Sequence, residues 1–284
     1  MTSDTMTTVT NDAFLAEYTS RNAILTYSRA TAGLGISYLL DHDYKDVYLQ
    51  ALRLLPAGVL EQGIRVLEFG CGAGMNLLHL VGVMHREGIN VGSALGTDFS
   101  PLLIETARAE AKNCLDQQQR EKTQFCVARN ESLIVDISAT AGSAPTTLAD
   151  SFHFILGVNT IRYCHAIGKQ LENARDIFSL LAPGGICVVI DMNNRFPVFR
   201  SDVRNWFRLH KEEECYVPSL EEYALPFAQT GFELIRQEHF CWVPHSAGQF
   251  RLQLMKTMSP MLNRVAKSRA MRSLVVARKP VSCG

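Results

Sequence analysis

Between Glu68 and Gly74 the chain reads EFGCGAG, a carboxylate followed by glycines at every second position, Gly70, Gly72 and Gly74. Glycine allows a tight turn and lets backbone N–H groups approach a ligand closely, and a helix starting just beyond lends its positive end. Before the loop, Val66, Leu67 and Phe69 with Arg65 and Glu68 inserted suit a buried parallel strand that ends in an acid. After it, Met75–Val81 has a helical apolar pattern, so strand, turn and helix together build a nucleotide crevice. The glycine spacing is G-x-G-x-G, not the G-x-G-x-x-G of a pyrophosphate turn. Further on, Ala94–Asp98 reads as a second strand with an acid at its carboxyl end, where a carboxylate accepts hydrogen bonds from both hydroxyls of a ribose. A third group follows the apolar run Ser151–Leu156: Arg162, Tyr163 and His165. Arginine takes no proton at neutral pH and can only hold negative charge, whereas histidine can serve as a base.

Glu-x-Gly-x-Gly-x-Gly resembles motif I of the class I S-adenosylmethionine (SAM) methyltransferases. Gly96-Thr97-Asp98-Phe99-Ser100 resembles the second cofactor motif of that family, and Pro183-Gly184-Gly185 before the β-branched run Ile186–Ile190 resembles its turn into the fifth strand. The matches run in order over residues 64 to 279. The resemblance implies an α/β fold: a Rossmann-like seven-stranded mixed sheet, order 3-2-1-4-5-7-6, flanked by helices. It implies SAM as methyl donor and S-adenosylhomocysteine (SAH) as product. It places Glu68, Gly70, Cys71, Gly72, Gly74 and Asn76 at the methionyl part of the cofactor, Asp98 on the ribose and Phe99 on the adenine. Asn130 and Glu131 stand where the family commonly has Asp-Ala-x-x-Leu, and with Asn159 they join the cofactor-binding candidates. Two departures stand out: Phe152-His153 replaces the usual Phe-Asp, and Arg162-Tyr163 occupies the place of a histidine that faces the transferred methyl in many relatives.

The elements that must position these groups follow from pattern. Residues 11–62 read as helices interrupted at Thr31–Gly35 and ending near Pro56 and Gly58. In the family such a segment often forms a lid, which would bring Tyr18, Tyr27, Arg29 and Tyr38 onto the cofactor or substrate. Packing on the sheet edge accounts for the same aromatics, and both readings stay open. This divides the chain into a helical segment or lid, 1–62, and a SAM-binding domain, 63–284. A helix runs to about Glu87 and stops at Gly88; Thr123–Ala128 is the third strand; Ala139–Ala149 and Gly157–His165 read as loops. A helix over Leu171–Leu181, the fifth strand Ile186–Ile190, a capped helix over 219–230 and strands over 231–240 and 272–278 complete the series. Arg195 and Arg200 leave the carboxyl edge of the sheet after the fifth strand. Residues 241–270, with Trp242 and His245, read as a helical insertion that caps the pocket or forms a dimer contact.

Composition narrows the partners. Lys plus Arg and Asp plus Glu number 28 each, leaving no electrostatic footprint for nucleic acid. No Asn/Asp-Pro-Pro-Tyr/Phe follows the fourth strand and no Pro-Cys nucleophile appears, as a nucleic-acid methyltransferase would require. Eight cysteines lack CxxC or Cys/His metal spacing, so reduced buried thiols in a cytoplasmic protein and no metal are expected. No apolar stretch reaches membrane-spanning length, and the polar start lacks a signal peptide's core. The expected acceptor is a small, anionic molecule, by fold-level analogy one of specialised metabolism, handled by a monomer or homodimer. Arg162, with Arg195, Arg200, Trp242 and His245, would anchor a carboxylate for O-methylation. Hydroxyl methylation with His165 as base, and a non-catalytic SAM-binding subunit, are the competing readings.

Overall fold

Seven strands form one sheet in the order β3-β2-β1-β4-β5-β7-β6, as expected. The computed structural model describes residues 33–142, 144–197 and 217–281; Tyr18, Tyr27, Arg29, Arg200, Arg204 and Trp206 lie outside the described residues. Helices α1 (Leu34–Leu39) and α2 (Lys45–Leu52), joined by a π-helical turn over Leu40–Tyr44, and the short α3 (Ala57–Gln62) precede β1 (Ile64–Phe69). Then come α4 (Met75–Arg86), β2 (Val91–Asp98), α5 (Pro101–Cys114), α6 (Gln117–Glu121), β3 (Thr123–Val127), α7 (Leu133–Ala141), β4 (Phe152–Val158), α8 (Ile161–Ala166) and α9 (Gln170–Leu180). The chain continues with β5 (Leu181–Met192), α10 (Leu220–Thr230), β6 (Glu233–Phe240), α11 (Gln249–Val265) and β7 (Arg272–Arg278). Strands β1 to β5 pair in parallel, while β7 enters antiparallel between β5 and β6. That reversal sets Arg272, the first residue of β7, opposite Met192 at the end of β5, on the edge where the parallel strands terminate.

Both sheet faces are covered, which explains the near-continuous apolar strands. Ile186, Val188 and Ile190 face a layer made by α1, α2, α4 and α5; Cys187 and Val189 face α7, α9 and α10. Gly157 on β4 is required by packing, because a Cβ there would overlap the Phe69 ring of β1.

Several expectations are corrected. Leu34 and Gly35, expected within a break between helices, stand inside α1, whose N-cap is Gly33; Thr31 and Ala32 lie outside the described residues. Ala139–Ala141 closes α7 instead of opening a loop, since Leu133 and Ile137 bury enough apolar surface to hold that helix on the sheet. The stretch after β4 coils into α8 from Ile161. Pro183-Gly184-Gly185 is a bulge within β5: pairing with β4 jumps from Leu181 to Ile186, and Gly184 takes φ +77°. The insertion before β7 is helical as expected, over Gln249–Val265.

Candidate active site

The glycine loop is shaped by three left-handed residues, Gly70 (φ +62°), Gly72 (φ +55°) and Gly74 (φ +81°). A Cβ on Gly70 would overlap Thr160, so the loops after β1 and β4 touch only because that side chain is missing. Gly74 is the N-cap of α4 and has no side chain to cap it. Glu68 does so from the strand: its Oε2 accepts the Leu77 N–H at 2.8 Å. The carboxyl is fully buried, and burial pushes its pKa well above the usual range, the Leu77 and Asn76 hydrogen bonds offsetting this only in part. Asn76 in turn accepts from the Tyr48 hydroxyl at 3.3 Å. Glu68 Oε1 is buried with no hydrogen-bond partner among the described residues. Three glycines that open the backbone, with an acid beneath them that has one oxygen unpartnered among the described residues, fit a cradle for a polar cofactor.

Asp98, at the end of β2, fixes that cradle. Its Oδ2 accepts from Gly72 N–H and its Oδ1 from Ser100 N–H, both at 2.9 Å. Burial raises its pKa while these two bonds lower it. Each oxygen keeps a further lone pair for a diol. Half-buried Phe99 follows it. Burial, then the nearby Glu68 and Asp98, pushes the Cys71 thiol up, which makes it an inert packing group.

Around the loop after β4 the chain gathers its other expected groups. Asn130 donates to Thr160 Oγ1 at 2.6 Å, and Glu131 sits beside it in a 3-10 turn. Asn159 holds φ +57° and accepts from Arg272 Nη1 at 2.6 Å. Arg162 is buried and committed: its Nη1 lies 3.0 Å from Asp191 Oδ1, its own N–H donates to Asp191 Oδ2, and its Nη2 donates to the Tyr163 hydroxyl at 2.6 Å. Its charge is matched by an acid with no exposure at all.

Arg272 is the contrast. It is 2% exposed, its Nη2 lies 2.6 Å from His245 Nε2, and its Nε has no partner among the described residues. Neither Asn159 nor His245 carries a negative charge. Burial, then the repulsion of Arg272 and Arg162, lowers the His245 pKa to about 3, so the ring is neutral and accepts at Nε2. Tyr44, from the π-helical turn, is buried beside Arg272 and its hydroxyl has no hydrogen-bond partner among the described residues. Burial raises its pKa, and the neighbouring Arg272 opposes that.

The remaining candidates lie apart. His165 packs its ring edge-on against Tyr223 of α10 at 5.6 Å, with a pKa lowered by burial. Arg195 is exposed, 3.7 Å from Glu221, and with Asn194, Ser268 and Arg269 lines an open cleft of about 360 Å³. Trp242 is buried and donates to Asn263 of α11 at 2.8 Å. Tyr38 packs on His42 and under Lys256 of α11, not on the glycine loop. A second cleft, near His85, Gln118 and Lys122, lies at the opposite, amino end of the strands. Sequence reasoning missed Arg272, Asp191, Thr160, Tyr44 and Tyr48. Among them only Asp191, an acid just past the apolar run Ile186–Ile190, carries a signal in the sequence.

Residues 40–237 match the profile of a family described as a methyltransferase domain. Similar solved structures include a SAM-dependent methyltransferase from Mesorhizobium loti, 18% identical over 84% of this chain and 99% of that one, TM-score 0.54. The protein bound to the Haloferax volcanii Trm112 methyltransferase activator is 18% identical over 92% of this chain and 99% of its own, TM-score 0.54. The [4+2]-cyclase SpnF is 17% identical over 84% and 82%, TM-score 0.53. At such identities the likeness is one of fold. No curated protein matches the sequence.

Proposed function

Since the chain belongs to the methyltransferase-domain family and is a class I SAM-dependent methyltransferase, we propose that its acceptor is a small anionic molecule methylated on a carboxylate oxygen. The observation that carries this reading is Arg272, a guanidinium buried with no acid partner among the described residues. A buried charge is costly unless paired. Arg162 meets that demand with Asp191; among the described residues Arg272 meets a neutral amide and a neutral imidazole and no acid. An acceptor carboxylate supplies the missing counter-charge, and the guanidinium fork fixes its orientation. The anchoring role expected of Arg162 therefore passes to Arg272, with Arg162 and Tyr163 as its supporting wall.

The site residues divide the work. Gly70, Gly72 and Gly74 admit the cofactor backbone-close, Asn76 and Glu68 hold the start of α4 beneath it, and Asp98 and Phe99 take the nucleoside, with Asn130, Glu131 and Asn159 alongside. When bound, SAM supplies an electrophilic methyl on a positively charged sulfur. A carboxylate oxygen that takes it gives up no proton, so this chain needs to orient and desolvate rather than deprotonate. His245 suits that role, because a ring neutral down to about pH 3 and already accepting from Arg272 removes no proton at neutral pH.

The test is a panel of carboxylic acids, phenols and amines incubated with labelled SAM. Label in base-labile methyl esters is expected, at a rate flat above about pH 6, where free carboxylates are ionised. A rate that climbs through neutral pH and collapses in His165→Ala would instead assign hydroxyl methylation.

A further inference from the structure

Helix α11 turns Leu252 and Met255 inward onto the core, and Trp242 ties it down through Asn263. Its outward face is apolar as well: Phe250 is 80% exposed, Leu254 44%, Met261 54% and Val265 74%. Their spacing puts them on one stripe along the helix. Arg251 and Arg264 flank that stripe, Lys256 lies further round, and Arg269 follows just beyond the helix. None of these four has an ion-pair partner among the described residues, whereas Lys45, Lys169 and Arg278 elsewhere on the surface each pair with a glutamate. Every Asp and Glu of the chain precedes residue 239, while eight Lys and Arg follow it. Of those eight, Lys267, Arg278 and Lys279 have acid partners and Arg272 is buried, which leaves Arg251, Lys256, Arg264 and Arg269 as the cations beside the exposed apolar stripe.

We propose that α11 is a peripheral docking surface for an anionic lipid bilayer, lying in the plane of the membrane with its stripe among the headgroups. Apolar side chains outward with arginine and lysine beside them are what an interfacial helix needs. A second copy of the chain is disfavoured because a two-fold contact through α11 would set like charges together. Nucleic acid accounts for the arginines but not for the outward Phe250, Leu254, Met261 and Val265.

Sedimentation of the full chain with vesicles decides the matter. Binding is expected to mixed phosphatidylcholine–phosphatidylglycerol vesicles and not to phosphatidylcholine alone, and is expected to fade with added salt. At about fivefold per basic residue, R251A/R264A should bind roughly 25-fold more weakly. F250S/V265S should also lose binding, while both variants keep wild-type melting and SAH affinity. Four results would overturn the proposal: no vesicle binding, equal binding to neutral vesicles, full binding by F250S/V265S, or a solution dimer split by these same substitutions.

Discussion

Arg162 and Arg272 share one buried cluster, yet among the described residues only the first has an acid, and their substitutions should fail in different ways. Arg162→Met leaves Asp191 buried and unpaired and should cost about 3–5 kcal/mol of stability, read from urea melting. Arg272→Lys removes a misplaced charge's fork but keeps the charge. Lysine cannot reach Asn159 and His245 together and present a planar pair of N–H groups to a carboxylate. The variant should melt like wild type and bind SAH normally, with kcat/KM for the acid identified by the panel down roughly ten- to a hundredfold, through losses of about 1.5–3 kcal/mol. A stable, inactive Arg162→Met beside a fully active Arg272→Lys would reverse the two roles. Asp98 holds the Gly72 and Ser100 N–H groups, and on the proposed reading it also takes the ribose. Asp98→Ala loses the diol contact and also frees Gly72 N–H, so SAH affinity should fall at least tenfold by calorimetry, at about 1.5–3 kcal/mol per charged hydrogen bond.

The π-helical turn Leu40–Tyr44 is the element that brings Tyr44 onto Arg272, and it carries a measurable cost. Asp43 within it has its pKa raised to about 6 by burial, with Asp46 adding to the shift and His42 opposing it. A carboxyl raised in the folded state binds its proton more tightly there than in the unfolded chain. Its contribution is therefore full below about pH 4 and is lost as pH rises through 6. Asp43→Asn should stabilise the protein by about 1–2 kcal/mol near pH 7.5, after discounting for solvent, and by nothing near pH 4. An unchanged melting gap between the two pH values would refute this. No periodicity announces a π turn, and the sequence pattern showed only a helix there. The motifs that were legible, the glycine loop, Gly96–Ser100 and the run into β5, are local: each places a residue by its own strand end. Arg272 was not legible because its partners, Asn159 and His245, come from separate loops, and only the antiparallel entry of β7 brings them together. Likewise α7 reads as loop from Ala139 on because Ala, Thr and Gly there declare no face, while Leu133 and Ile137 upstream do the anchoring.

At the scale of the whole molecule, the question is whether residues before β1 are an addition or part of the fold. The sheet order alone leaves that open, and it also leaves open the reaction, since the same fold occurs in a [4+2]-cyclase. The burial of α1 and α2 bears on the first question. Leu39, Leu40, Tyr44, Val47, Tyr48, Leu52 and Leu55 are all buried in the layer that also holds Leu77, Leu80, Val188 and Ile190. Fully burying a side chain of this size contributes about 1.5–3 kcal/mol, so the set amounts to roughly 10–20 kcal/mol as an upper figure. The net stability of a whole domain is only about 5–15 kcal/mol. A chain beginning at Glu61 should therefore fail to reach a cooperative fold, and circular dichroism with a urea titration should show no unfolding transition. A lid that merely closed over the cofactor would behave otherwise: the shortened chain would melt cooperatively and lose only turnover and SAH affinity. That outcome would assign residues 34–55 to a separable cap and leave the sheet, α4 and α5 to stand without them.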